Sequence, residues 1–408
     1  MIGWTVAGCS NRLIENQFLV ERMMKKHPRK FRHILKHFDS LEVQVIYTQI
    51  NRDSLNRPHF RSFYFRVDST NYFYPASTVK LPMVLLALEK LNRLNISGLN
   101  KFTHMLHDSV YSGQQVVKID STSQDGLPSV AHYAKKILLV SDNDAFNRLY
   151  EFMGQKEVNH RLKSKGYNIR ILHRLERPLK PDENHHTEAV RFVSNDSLVF
   201  SQSMLVNEDS IQPPRRVFKG IGYIKNENQL IRQPFDFTYK NSYPLQEQQE
   251  ILKSILFPES VDPKKRFDLS GADRNFVMQY MSQLPRETSY PAYGKDKNYY
   301  DSFCKFLLFG EEKKRIPPSM RIFNKVGDAY GYLIDNAYIV DFKSNVEFML
   351  AAVINTNTDG IYNDGVYEYK KIGYPFMRNL GRAVYHYELQ RKRLRQPDLS
   401  SLKMKYDQ

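Results

Sequence analysis

Apolar residues recur along this chain with spacings that change from one stretch to the next. Between residues 11 and 38 the spacing is helical: Leu13, Phe18, Leu19, Met23 and Met24, then Phe31, Ile34 and Leu35. Pro28 separates the two runs, which predicts two helices or one kinked helix. Residues 41–51 (LEVQVIYTQIN) and 59–68 (HFRSFYFRVD) alternate instead, with turn residues (NRDSLNRP) between them. This pattern predicts an antiparallel hairpin, and two strands alone need a larger sheet to join. Residues 72–92 (YFYPASTVKLPMVLLALEKLN) begin aromatic and extended, turn at Pro75, and continue as a long apolar helix.

Residues 94–126 are polar and loop-rich, with room for short helical pieces. Helical spacing returns at 130–140 and 145–153, interrupted by Ser141-Asp142-Asn143-Asp144, where Asn143 or Asp144 is a candidate cap. Residues 176–188 form a polar loop with two prolines. From 189 to 243 no period dominates, although 216–223 and 235–239 read as strand-like. Further helices are expected at 245–256, 271–284 and 298–309. Three strands follow at 319–325, 330–341 and 346–355, then a helical region at 362–393, bent near Pro375. The two strand groups combine most economically into one antiparallel five-stranded sheet flanked by the terminal helices. The expected layout is an α/β sheet domain from 11–72 plus 313–393, and a helical domain over 73–312 with an insertion at about 189–245. A polar tail over 394–408 completes it. There is no internal repeat.

Composition narrows the partners. The chain has 408 residues, 41% hydrophobic and 13% aromatic, which suits a folded globular protein. Its 60 Lys and Arg outnumber 44 Asp and Glu, giving a net charge of +16 and favouring an anionic partner. The densest basic runs lie at 25–36 and 391–395. No zinc-finger spacing or aromatic RNA-binding signature accompanies them, so nucleic acid is not expected. Two cysteines, Cys9 and Cys304, exclude a disulfide framework, and Cys304 reads as a small buried residue. His185 and His186 lack carboxylate or cysteine spacing, so no metal or other cofactor is expected. No stretch is long and apolar enough to span a membrane.

The candidate chemistry sits at the head of the apolar helix. Ser77 and Lys80 are three residues apart and so share one helical face, presenting a hydroxyl beside an amine. The leading N–H groups of a helix are unpaired and stabilise negative charge. A serine nucleophile needs both features: a base within reach and donors for an oxyanion. Ser-Thr at a helix start is also an ordinary cap, and Ser-x-x-Lys recurs at Ser302–Lys305 and Ser400–Lys403. Position separates the first copy from the others. It precedes Ser141-Asp142-Asn143, in a loop between helices, and Lys325-Val326-Gly327, at the end of the first strand of the last group. A second Lys-x-Gly, Lys371-Ile372-Gly373, falls in a helical stretch and is set aside.

In this order and context the three signals resemble the active-site serine penicillin-recognising enzymes, most closely class A β-lactamases. There S-x-x-K, S-D-N and K-[TS]-G meet in a cleft between an all-α and an α/β domain. Residues 174–180 (RLERPLK) resemble that family's Ω-loop pattern R-x-E-x-x-L-N, matching at Arg174, Glu176 and Leu179, with Lys180 in place of Asn. The resemblance implies an acyl-enzyme on Ser77, with Lys80 or Glu176 as base and Ser141 relaying a proton to the leaving nitrogen. Asn143 would hold Lys80 and a substrate amide, and Lys325 would attract a substrate carboxylate. Gly327 belongs to the substrate-binding strand, and Asp328 would share the oxyanion hole with Ser77. Val326 replaces the hydroxyl residue that helps grip a β-lactam carboxylate. An amine at Lys180 is positioned in sequence to pair with Glu176 and weaken it as a base.

Val6-Ala7-Gly8-Cys9 resembles a bacterial lipobox, which makes residues 1–10 a candidate lipoprotein signal remnant, Cys9 a lipidation candidate, and the bacterial periplasm or cell envelope the expected location, with membrane attachment through that lipid alone. The expected protein is thus a monomeric β-lactamase-like serine hydrolase. Its substrate would be a β-lactam or a peptidoglycan-derived peptide. The alternatives are a D-alanyl peptidase or esterase of the same fold and a low-turnover envelope-binding protein.

Overall fold

The structure is a computed structural model that describes residues 18–407 apart from Ser210 and residues 227–228; the Cys9 motif lies outside the described residues. Helices α1 (Leu19–Lys25) and α2 (Pro28–His37) open it, with Pro28 in the first turn of α2, where its missing N–H costs nothing. The hairpin follows as β1 (Gln44–Arg52) and β2 (Pro58–Phe65). A short 3-10 turn, Ala76–Val79, leads into α3 (Lys80–Leu94). All residues of α3 from Lys80 through Leu91 are buried, as expected of a helix that is apolar nearly all round.

Strand β3 (His104–Asp108) occupies the stretch expected to be loop. Helices α4 (Val130–Val140), α5 (Asn143–Met153) and α6 (Gln155–Ser164) then build the helical layer around α3. Strands β4 (Ala189–Ser194) and β5 (Ser197–Gln202) complete a small sheet with β3. The unreadable region proves to be an excursion of short strands, β6 (Phe218–Lys219), β7 (Gly222–Lys225), β8 (Gln229–Ile231) and β9 (Phe235–Asp236). Helices α7 (Leu245–Leu256) and α8 (Gly271–Ser282) follow. The expected helix at 298–309 is instead a series of turns ending in a single helical turn, in which Leu308 has φ +76°.

The chain closes with β10 (Met320–Ala329), β11 (Tyr332–Asp341), β12 (Val346–Asn355), the short β13 (Ile361–Tyr362) and helix α9 (Tyr374–Gln390). Pro375 starts α9 rather than bending it. The main sheet is antiparallel with order β10-β11-β12-β1-β2, so β12 and β1 join the two ends of the sequence, with Gln44 opposite Val353 and Gln49 opposite Phe348. Side chains alternate between its faces. Val45, Tyr47, Ile339, Phe348 and Leu350 pack with α1, α2 and α9, whereas Tyr338 and Met349 pack with the helical layer. Burial on both faces explains why β11 and β12 read as nearly continuous apolar runs. No described helix is long and apolar enough to cross a membrane.

The segment after α9 is not a free polar tail. Leu399 and Leu402 are buried, Arg321 of β10 lies 4.0 Å over the Tyr406 ring, and Asp407 accepts from Tyr280 Oη of α8 (2.8 Å).

Candidate active site

Strand β10 is an edge strand, and the turn bearing Ser77 covers it. The approach is close at Gly327: a Cβ there would lie 2.8 Å from Pro75 O and 3.0 Å from Ser77 N. Glycine therefore lets the two elements touch. The β10 strand continues to Ala329, so Lys325-Val326-Gly327 sits within it rather than at its end. On the other side of the contact, Ala76 holds φ +49°, a left-handed conformation costly for a residue with a Cβ. That turn places Ser77 at the head of the helix, where leading N–H groups have no intrahelical acceptor.

Lys80, first residue of α3, is fully buried beneath the serine. Its Nζ donates to Asn143 Oδ1 (2.5 Å), to Ser141 Oγ (3.3 Å) and to the Ser141 carbonyl. None of these acceptors is a carboxylate. Burial pushes the amine well below the usual lysine range, and the Lys325 charge pushes it further. Ser141 faces it because it ends α4 in a left-handed conformation (φ 63°, ψ 35°). Asp142, rather than Asn143 or Asp144, caps α5 by accepting from Ala145 N (2.7 Å), which leaves the Asn143 side chain for Lys80. Lys325 Nζ donates to Ser141 Oγ (2.7 Å) and to Val326 O (2.9 Å), and burial brings its amine down to about 8. Lys80, Ser141 and Lys325 are thus joined through one hydroxyl.

Above this floor lies a cavity of about 720 Å³ lined by Ser77, Ser141, Asn143, Glu176, Val326 and Asp328 among others. Ser77 Oγ makes no hydrogen bond among the described residues and is partly exposed. Asp328 is exposed on the cavity wall, with neighbouring residues crowding its carboxyl. Desolvation raises its carboxyl, opposed by the charges of Lys325 and Lys80 and reinforced by Glu176. Cys304 also lines the cavity, and burial pushes its thiol up to about 11.

Glu176 comes from a loop pinned from below. Arg174 is buried and makes a two-pronged pair with Glu151 of α5 (2.5 and 2.6 Å). Arg177 reaches Glu188, which also holds Arg148. Glu176 itself is exposed, has φ +50°, and contacts neither Lys80 nor Asn143 by a hydrogen bond. The expected Lys180–Glu176 pair does not form among the described residues: the Lys180 backbone N–H binds Glu183 Oε2 (2.9 Å) at the start of a short helix. In the other two Ser-x-x-Lys copies neither the serine nor the lysine lines the cavity. Ser302 Oγ donates to Glu312 O and Lys305 Nζ to Met281 O (both 2.6 Å), while Ser400 lies in the docked terminal segment. His186 stacks on Tyr111 (3.9 Å), and the described residues hold no cluster suited to a metal ion.

Sequence reading missed Tyr74, His173, Lys240 and Tyr330, which wall one end of the cavity. His173 stacks parallel to Tyr74 at 6.2 Å, and desolvation brings its imidazole down to about 4. Lys240 arrives from the excursion before α7, where no periodicity marked it.

Residues 28–208 match the family model described as "Beta-lactamase enzyme family", a span holding Ser77, Lys80, Ser141, Asn143 and Glu176 but not β10. Comparison with curated proteins gives no match. Among solved structures, a β-lactamase from Xanthomonas campestris is similar at 14% identity and TM-score 0.47, over 90% of this chain and 97% of that one. A β-lactamase from Sphaerobacter thermophilus is similar at 12% and 0.46, over 90% and 98%. A class A β-lactamase from Clostridium kluyveri is similar at 13% and 0.45, over 87% and 98%. The matched family model, taken with the five-stranded sheet and the helical layer that carries Ser77, gives this chain a β-lactamase-related serine hydrolase fold.

Proposed function

We propose that this protein hydrolyses a β-lactam amide through an acyl-enzyme on Ser77. The observation that carries the reading is Lys80, buried beneath the serine with only neutral acceptors and a depressed basicity. A neutral amine there takes the Ser77 proton as Oγ attacks the carbonyl. The Ser77 N–H and that of Asp328 receive the oxyanion. The Lys80–Ser141–Lys325 chain of hydrogen bonds returns the proton to the leaving nitrogen. Lys325 attracts the substrate carboxylate, and Glu176, facing the same cavity, activates the water that frees Ser77.

One observation favours a second reading, a D-alanyl peptidase or slow acylator. Glu176 makes no hydrogen bond to Lys80 or Asn143, and Val326 offers no hydroxyl, so the groups for water and for carboxylate grip are the least assembled. Both readings are tested by incubating the protein and Ser77→Ala with a chromogenic cephalosporin and a fluorescent penicillin. Ser77-dependent turnover supports hydrolysis, and a stable Ser77-dependent label supports the second reading. If neither occurs while peptidoglycan is retained, the protein is a binding module. Envelope attachment through Cys9 belongs to the same proposal, and metabolic labelling with a lipid precursor in wild type and Cys9→Ala tests it.

A further inference from the structure

The cavity has two unlike ends. One carries Ser141, Tyr300, Phe303, Cys304 and Phe306, with Lys325 donating to Ser141 Oγ and its charge acting on the Cys304 thiol. The other is bounded by the Glu176 loop, the end of β10 and Lys240. Charges at the reacting centre act on one another: Lys325 and Lys80 favour the Asp328 carboxylate, and Glu176 opposes it. Lys240 stands apart from them, its charge acting on the His173 ring. Its ammonium makes no ion pair and no side-chain hydrogen bond among the described residues, and it rests near the rings of Phe235 (5.8 Å) and Tyr330 (5.9 Å). It is half-buried, and the burial that lowers its basicity is offset by no carboxylate among the described residues. Aromatic packing fixes the corner: Phe235 meets Tyr330 at 5.7 Å, and Tyr330 meets Tyr74 edge-on at 4.9 Å.

A cation held by ring faces, partly desolvated and lacking an acid, attracts an anionic group more strongly than a fully solvated lysine does. The rings also fix how far the amine reaches into the cavity. We propose that Lys240 is a specificity-determining residue that selects substrates whose acyl portion carries an anionic substituent, such as a carboxylate. This rests on the acyl-enzyme reading above and adds the substrate class. Lys325 takes the carboxylate of the leaving portion, and Lys240 takes a second negative charge at the other end of the cavity.

The test uses three penicillins with one nucleus and different side chains: α-carboxybenzyl (anionic), benzyl (neutral) and α-aminobenzyl (cationic). The second-order rate of Ser77 acylation is measured for each in the wild type, Lys240→Gln and Lys240→Glu, with Ser77→Ala as blank. The expected order in the wild type is anionic, then neutral, then cationic. In Lys240→Gln the anionic-to-neutral ratio falls about five- to tenfold, the size of one partly desolvated charge pair. In Lys240→Glu the order reverses. Residual acylation by benzylpenicillin reports that each variant is folded. Acylation with the same ratios in all three proteins overturns the role of Lys240 and leaves the acyl-enzyme reading intact. No Ser77-dependent acylation by any penicillin overturns both.

Discussion

A buried lysine with no carboxylate hydrogen-bonded to it is uncommon, because desolvating an ammonium is costly unless it is paired. Lys80 meets that cost by losing basicity, and this sets a pH dependence. Its folded pKa lies below the ordinary lysine value, so the neutral, proton-accepting amine forms at lower pH than in a free lysine. Acylation therefore rises with pH through that depressed value. Lys325, brought down to about 8, loses its charge above that pH and with it the attraction for a substrate carboxylate. The expected profile for acylation by a fluorescent penicillin is a bell. Because both amines share Ser141 Oγ, its limbs belong to the coupled pair. In Lys325→Arg the alkaline limb moves out of range, since guanidinium stays protonated. A limb that persists near pH 8 in this variant removes Lys325 from the explanation.

Gly327 offers a steric prediction at the same scale. A methyl group at this position meets Pro75 O and Ser77 N, so Gly327→Ala must move the nucleophile or the strand. A displacement of this kind costs about 10²-fold in acylation, while overpacking costs about 1–3 kcal/mol of stability. Rates and urea unfolding on one preparation separate the two. A variant that loses stability but acylates normally would falsify the role given to the close approach.

Among the elements, the loop carrying Glu176 is held by buried ion pairs. Its Arg174 is paired with Glu151 out of solvent, and breaking a buried pair by removing one charge costs about 3–5 kcal/mol. Glu151→Gln is expected to lose that much in urea unfolding and to lengthen the lifetime of the acyl-enzyme more than it slows its formation. The reason is that Glu176 leans on this anchor and Lys80 does not. Equal slowing of both steps would mean that the loop serves only the fold. Elements of this kind divide what the sequence discloses. Ser77–Lys80, Ser141–Asn143 and Lys325–Gly327 were legible because each lies in or beside a regular element with its own period. The corner at Lys240 was not, because β6 to β9 are only two to four residues long and pair with distant partners such as Ile361. Residues 298–309 misled for a related reason: Tyr299, Phe303 and Phe306 have helical spacing, yet they fill the cavity wall and a neighbouring cluster from turns. The Glu176 loop was legible by resemblance alone. The Lys180 pairing inferred from it does not form among the described residues, and the Lys180 charge acts on Glu183 instead.

At the scale of the whole molecule, the site is split between two layers. Ser77, Lys80 and Ser141 stand on the helical layer, and Lys325 stands on the edge of the sheet. Anything that fastens β10 to the helices therefore holds the site together. The terminal segment does this, with Tyr406 beneath Arg321 of β10 and its hydroxyl beside Ser282 Oγ of α8 (3.0 Å), while Asp407 engages Gln279 and Tyr280. Leu402 anchors the segment in the same core that encloses α3. Ordering this stretch costs about 1–2 kcal/mol per residue, so its apolar anchors must offset most of that, and the net gain is smaller than the area they bury. Leu402→Ala is accordingly expected to cost about 1–3 kcal/mol in urea unfolding, below the value for a core leucine that cannot peel away. It should also slow acylation modestly, because β10 is less firmly held. A change within about 0.5 kcal/mol, typical of a surface substitution, would mean that the segment hangs free and that the two layers meet without it.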